Sequence, residues 1–455
     1  MLNDESQLQK FNNDEIAQHY FEVLRTLISK KSIFAQQVGL EEVATYLGEI
    51  FAKIGAEVTI DDAYTAPFVM ARFKSPNPTA KTIIFYNHYD TVPADDDQPW
   101  TSDPFKMTVR NDYMYGRGVD DDKGHITARL TAVHKYIHEI GALPVNIIFI
   151  MEGAEESASV DLEKYLYKYA NDLRGADLLV WEQGISNRKG QMEISGGTKG
   201  ILTFDMLVES ADMDIHSKFG AVIDSASWYL LSAISSLRDE AGHLLIDGIY
   251  NQIIQPTQRE LSLTMEHANL DDKSLEALYG LRLPMLVTDK KELIKTIFFE
   301  PAITIEGIAT GYQGKGVKTI LPSKASAKME VRLVPGLDPH DVLHKIEQHL
   351  HQNGFDHIKL VYTLGEKAYR SDMSAPAILN LITIAKKFSP KGVSILPTTA
   401  GTGPMYQVFE ALQTPIASFG IGNPNSCDHG GDENVKLADY YTHIEMIKEL
   451  IETYD

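Results

Sequence analysis

The sequence predicts an α/β protein: a three-layer domain with a mainly parallel sheet, interrupted by a smaller α+β domain of ferredoxin-like type. Three observations carry this. Short apolar runs alternate with helix-length amphipathic stretches early in the chain and again at its end. The run 327–333 alternates strictly, Ala327, Met329, Val331 and Leu333 against Lys328, Glu330 and Arg332, as a half-exposed antiparallel strand does. At 455 residues the chain is also too long for one ordinary core.

In chain order, 14–30 and 40–54 read as helices, and 56–60 and 68–73 as strands. The apolar run 82–86 is a buried strand leading into Asn87-His88-Tyr89-Asp90. A loop rich in Asp and Pro, containing Asp95-Asp96-Asp97, precedes a helix over 123–140 with Ile126, Leu130, Val133 and Ile137 at 3- and 4-residue steps. Strands follow at 145–151 and 176–181. Gly196-Gly197-Thr198-Lys199-Gly200 is a hinge candidate, after which a strand (201–209), a helix (225–237), the alternating strand, a helix (339–349) and a strand (358–362) form the smaller domain. The segment from 239 to about 308 reads as a helical elaboration of it. Beyond Gly365 the α/β pattern resumes with a helix (375–387), a strand (415–421) and a closing helix (437–453). The expected division is 1–199 and 367–455 for the larger domain, with 200–366 inserted.

A net charge of −21 opposes binding to nucleic-acid phosphates or anionic membranes. No run approaches the ~20 apolar residues of a membrane span, and the polar, acidic N-terminus is not a secretory signal. A single cysteine, Cys427, forms no intrachain disulfide and fits a reducing compartment. The expectation is a soluble cytoplasmic protein.

Four strand-like runs end in, or run on to, potential metal ligands. His88 closes the first, and Asp90, two residues on in extended chain, can reach its other ring nitrogen. Open α/β sheets bind ligands at such strand ends. Asp120-Asp121-Asp122, after Gly116-Arg117-Gly118-Val119, repel one another unless a cation lies among them. Glu155 and Glu156 follow the strand at 145; one can bind metal while its neighbour stays free as a base. Glu182 ends the run at Trp181, and His429 follows the last strand. Singly, each has an ordinary reading as a core histidine, a solvated acidic loop or a strand-end acid. Together they make a nitrogen- and oxygen-rich site without thiolate, which suits zinc, manganese or cobalt. One histidine per ion and one shared carboxylate would give a two-metal hydrolytic centre.

In this combination the sequence resembles the dinuclear metallopeptidase family that includes carnosine dipeptidases, aminoacylases, acetylornithine deacetylases and succinyl-diaminopimelate desuccinylases. The matching pieces occur in family order: His88-Tyr89-Asp90, Gly116 to Gly124, Glu152-Gly153-Ala154-Glu155-Glu156, Asp214-Ile215-His216-Ser217 and His429-Gly430-Gly431-Asp432-Glu433. The resemblance implies that His88 and Glu182 bind one ion, Glu156 and His429 the other, and Asp121 bridges them. It implies a cis bond between Asp121 and Asp122, Asp90 orienting His88, and Glu155 as general base. It further implies that the inserted domain is a lid that forms a homodimer, with His216 steadying the oxyanion in the partner's site. Thr319, in Lys318-Thr319-Ile320-Leu321-Pro322, and Arg332 would grip a substrate carboxylate, a task suited to arginine's planar fork. Gly401 and Thr402, in Ala400-Gly401-Thr402-Gly403, match a substrate-binding turn more weakly.

There are departures. Ala158 replaces the family's usual Gly, Glu182 stands where dipeptidases often carry Asp, and Ser217 is followed by Lys218 rather than Gly. The long inserted domain favours the dipeptidase branch. The expected function is hydrolysis of dipeptides or short peptides with two divalent ions, zinc first, with manganese or cobalt as alternatives. An N-acyl-amino-acid deacylase or carboxypeptidase is the enzymatic alternative, and an inactive binding protein the alternative of another class.

Overall fold

The computed structural model describes residues 4–94, 99–268, 270 and 272–454. Asp95-Asp96-Asp97 lies outside the described residues. The chain divides into two compact units, the first comprising Met1–Gly197, Ser371–Pro397 and Gln407–Asp455, the second Thr198–Arg370 and Thr398–Tyr406.

The strands that build the two main sheets are, in chain order, β1 (Glu57–Asp61), β2 (Phe68–Phe73), β3 (Thr82–His88), β4 (Asn146–Glu152), β5 (Leu178–Trp181), β6 (Met192–Ser195), β7 (Gly200–Glu209), β8 (Ala302–Thr310), β9 (Lys324–Leu333), β10 (Lys359–Glu366), β11 (Val393–Leu396) and β12 (Ile416–Ser418). The first unit holds an eight-stranded sheet in the order β1-β2-β4-β3-β5-β12-β6-β11. Its centre is parallel, β4 and β5 flanking β3 and β12 following β5, while β1 and β2 pair antiparallel at one edge. In β3, Ile83, Ile84, Phe85 and Tyr86 are all fully buried, as expected for a strand covered on both faces. Register sets His88 opposite Glu152, so the chain leaves β3 and β4 at the same level of the sheet.

The helix Lys123–Ile140 packs between Glu15–Ser29 and Leu437–Thr453. Its whole first half is buried, including Arg129, which donates to the carbonyls of Tyr86 (3.0 Å), Trp181 (2.5 Å) and Glu182 (2.8 Å). One buried cation thus ties together the ends of β3 and β5, where parallel pairing stops and carbonyls would otherwise lack donors. A small antiparallel sheet pairs Tyr113–Tyr115 with Asn434–Lys436, holding the segment after His429 beside the glycine turn at Gly116.

The second unit carries an antiparallel sheet in the order β8-β9-β7-β10. Alternate residues of β7 and β9, among them Leu202, Phe204, Met206, Ala327, Met329 and Val331, point into one core. Helices Ala226–Ser235 and Pro339–Gln352 cover that face. The helical expectation for 239–308 is corrected at its end. Helices do occupy Gln258–His267, Asp272–Tyr279 and Lys290–Phe299, but Ala302 begins edge strand β8. Its alternation, Ile303 and Ile305 against Thr304 and Glu306, lasts only four residues before a bulge between Ile305 and Gly307 breaks it, too short a run to read as a strand. The last expected strand is also shorter, Ile416–Ser418, after which Gly422 forms an isolated bridge to Ile185.

Candidate metal centre

Three strand ends of the first unit deliver the acids and one imidazole. β3 terminates in His88, whose Nδ1 lies 3.1 Å from the Asp90 carbonyl and 3.4 Å from Asp90 Oδ1. The Asp90 carboxylate does more than face this ring. Its oxygens accept the backbone N–H groups of Glu155 and Glu156, each at 3.2 Å. It therefore fixes the short 3-10 turn Glu155–Ser157 that follows β4. Gly153 is needed on the way, because a Cβ there would lie 2.4 Å from the Tyr89 hydroxyl. Glu182 follows β5 directly and is buried.

Asp121 joins two sets of ligands. Its Oδ1 lies 2.8 Å from His88 Nε2 and its Oδ2 3.1 Å from His429 Nε2. Glu156 Oε2 stands 3.0 Å from the same His429 nitrogen, and Glu182 Oε2 stands 3.9 Å from His88 Nε2. Two groups able to hold a metal result: Asp121, Glu156 and His429, and His88, Asp122 and Glu182. The bond between Asp121 and Asp122 is cis.

The charges explain why cations suit this place. Burial first, then the neighbouring negative charges, holds Glu155 and Glu182 well above the ordinary carboxylate range, and Glu156 above it. Asp121 is held low, against its burial, by the two histidines it touches. Asp121 and Glu156 push His429 up to about 11. Glu182 Oε2 is buried without a hydrogen-bond donor, a cost of ~1–3 kcal/mol that a cation beside it would remove. Ligands about 2.0–2.2 Å from one ion lie on the order of 3 Å from each other, close to the spacings around Asp121. The residues fit a pair of divalent ions. His429 is the solvent-facing member, its side chain 59% exposed.

The remaining candidates belong to the second unit and form two groups. His216 is exposed, its Nδ1 accepting the Lys218 backbone N–H at 3.1 Å. In the neutral ring this leaves the proton on Nε2, as an outward donor. Thr319 lies beside it, its carbonyl accepting the Ser217 N–H at 3.0 Å. In the other group Arg332 donates to Thr402 Oγ1 at 2.6 Å, and the Gly401 carbonyl accepts the Lys199 N–H at 2.8 Å. Arg332 is also clasped by Glu330 of its own strand, Nε–Oε1 at 2.7 Å and Nη2–Oε2 at 3.3 Å. A Cβ on Gly401 would meet nothing nearer than 3.8 Å, so the free chain has room for a side chain there.

Several residues of the site escape sequence reasoning. The sequence marks Asp122 as one of three adjacent acids and as half of the cis bond, but not that its Oδ2 accepts from Asn87 Nδ2 (2.6 Å) and the His88 N–H (3.2 Å). Arg129, Arg117 and Glu433 likewise act through contacts with distant backbone that no local pattern encodes. The one available signal was the presence of charged residues inside stretches that otherwise read as buried.

The profile of Peptidase family M20/M25/M40 matches residues 84–453. The chain is 28% identical over 388 residues to the Beta-Ala-His dipeptidase of Rattus norvegicus, covering 83% of this chain and 77% of that one. It is 26% identical over 454 residues to the Cysteinylglycine-S-conjugate dipeptidase of Corynebacterium striatum, covering 96% and 95%. The solved structure of the M20 family metallo-carboxypeptidase Sso-CP2 from Sulfolobus solfataricus superposes with a TM-score of 0.87 at 32% identity, covering 97% of this chain and 99% of that one.

Proposed function

The chain belongs to peptidase family M20/M25/M40 and is a metallopeptidase, and on that premise we propose that it hydrolyses the amide bond of dipeptides with a pair of divalent ions. The observation that carries the reading is Asp121, whose two oxygens face histidines from opposite ends of the chain. His88 and Glu182 would hold one ion and Glu156 and His429 the other, with Asp121 shared between them. When bound, such ions polarise the scissile carbonyl and acidify the attacking water. Zinc is the first choice and manganese or cobalt the alternatives, since imidazole and carboxylate accept all three.

The chain's own groups supply the rest. Glu155 takes a proton from the attacking water and delivers it to the leaving amine nitrogen, a role worth ~10²–10⁴ in rate. Asp90 fixes both His88 and the turn that carries Glu155. His216 donates its Nε2 proton to the oxyanion, a contribution of about 10²–10³. It does so in the partner subunit's site of a homodimer formed through the second unit. Trp228, Ile305 and Ile308 support such a surface, being 68%, 45% and 44% exposed on helix Ala226–Ser235 and edge strand β8. Arg332, with Thr402 and Gly401, receives the substrate's terminal carboxylate, while Thr319 stands beside His216, apart from that group. Cys427 is free and exposed, which accords with a reducing compartment, and we place the enzyme in the cytoplasm.

Likeness to a metallo-carboxypeptidase favours a second reading, removal of a C-terminal residue from N-blocked or longer peptides. Assay of zinc- and manganese-loaded protein against free dipeptides, N-blocked dipeptides and acyl-amino acids separates them. The dipeptidase reading predicts the highest kcat/KM on free dipeptides; higher values on N-blocked substrates overturn it in favour of carboxypeptidase or deacylase.

A further inference from the structure

Glu433 lies four residues beyond His429 and is fully buried. Its Oε1 accepts the backbone N–H groups of Gly118 (3.1 Å), Asp120 (2.9 Å) and Asp121 (3.1 Å). Its Oε2 accepts the Gly118 N–H at 3.0 Å and Arg117 Nη1 at 2.8 Å. Arg117 reaches back with Nη2 to the Gly430 carbonyl at 2.9 Å, and its guanidinium lies 5.2 Å from the Trp100 ring centre. One carboxylate and one guanidinium thus tie the backbone of the Asp121 loop to the backbone of the His429 loop. Backbone bonds also hold the chain at Glu433. The Glu433 carbonyl accepts the Gly116 N–H at 3.1 Å, and Asn434 pairs with Tyr115.

We propose that Glu433 is a positioning residue that sets the separation of Asp121 and His429, and through it the spacing of the two divalent ions. This rests on the reading of Asp121 as bridge and His429 as ligand. Three converging backbone N–H donors and a paired guanidinium make charge-assisted bonds that hold the backbone of the Asp121 loop. Residues supporting a metal ligand in this way govern affinity and geometry without touching the ion.

Glu433→Gln keeps the shape and one acceptor oxygen but turns an amide NH₂ towards Arg117 or Gly118, where two donors then face each other. The apo protein is titrated with Mn²⁺ and the loaded protein examined by electron paramagnetic resonance, where the dipolar coupling of two ions reports their separation. In wild type we expect a coupled pair. In Glu433→Gln we expect binding weakened about 10–100-fold, with an altered coupling at saturating Mn²⁺ and circular dichroism like wild type. Arg117→Lys, which keeps the charge on Glu433 but loses the bond to Gly430, should shift the signal in the same direction; it reports alone if the Gln variant does not fold. Unchanged affinity and coupling in the folded variants overturn the positioning role. A wild type showing no coupled pair overturns the dinuclear reading itself, so the two failures are distinguishable.

Discussion

The carboxylate of Asp90 accepts the backbone N–H of Glu155 at 3.2 Å, and its second oxygen accepts that of Glu156 at the same distance. A residue two places after His88 therefore holds both the imidazole and the turn bearing the proposed base. Asp90→Asn retains one acceptor and replaces the other by a donor. We expect kcat/KM to fall about 10–100-fold, with a parallel loss of metal affinity, checked by steady-state kinetics and by metal titration of the apo protein.

Arg332 already spends three N–H donors inside the free chain, two on Glu330 and one on Thr402. An incoming carboxylate meets a guanidinium whose charge is compensated by Glu330. Removing that negative charge is worth about 1 kcal/mol to an anion a few ångströms away. Glu330→Gln should lower KM for dipeptides about five-fold and leave kcat nearly unchanged. A dipeptide KM and kcat series checks this, and an unchanged or higher KM counts against Arg332 as the carboxylate receptor.

Ala158 has a φ of +67°, in the left-handed region that favours glycine. A side chain there costs ~1–2 kcal/mol, partly offset by the greater freedom of glycine in the unfolded chain. Ala158→Gly should stabilise the protein by about 0.5–1 kcal/mol, measurable as a higher urea midpoint.

His443 is buried with neither ring nitrogen hydrogen-bonded. It packs against His125 and Phe419, with the Arg129 cation nearby. Burial, then the charges of Arg129 and His125, holds it well below its ordinary value. The unfolded chain therefore binds a proton below about pH 6.5 that the folded chain refuses, so stability falls as the pH drops. His443→Phe should stabilise the apo protein by about 1–2 kcal/mol near pH 8, and the gain should widen by about 1.4 kcal/mol per pH unit below 6.5. Urea titrations at the two ends of that range check the slope.

Much of the fold was legible because its strands are buried on both faces or alternate cleanly. The run at Ile83 and the alternation from Ala327 carry those signals in the residues themselves. Strand β8 escapes the reading because its alternation at Ile303 and Ile305 is cut short by the bulge before Gly307. His88, Glu155, Glu156 and Glu182 were legible as candidates by type and by their place at or just after strand ends. What was not legible is how they are held. Asp122, Arg129 and Glu433 act on backbone groups from distant parts of the chain, and such contacts leave no spacing to read.

The account depends on ions held between His88, Asp121, Glu156, Glu182 and His429, with Glu155 free to move a proton. Metal content per chain, measured beside turnover for wild type, Glu155→Gln and His88→Ala after dialysis, tests it most directly. We expect two ions in wild type and in Glu155→Gln, one for each ligand group, with turnover of the latter lower by ~10²–10⁴, and loss of at least one ion in His88→Ala. Full activity in metal-free wild type, or full turnover in Glu155→Gln, would contradict it.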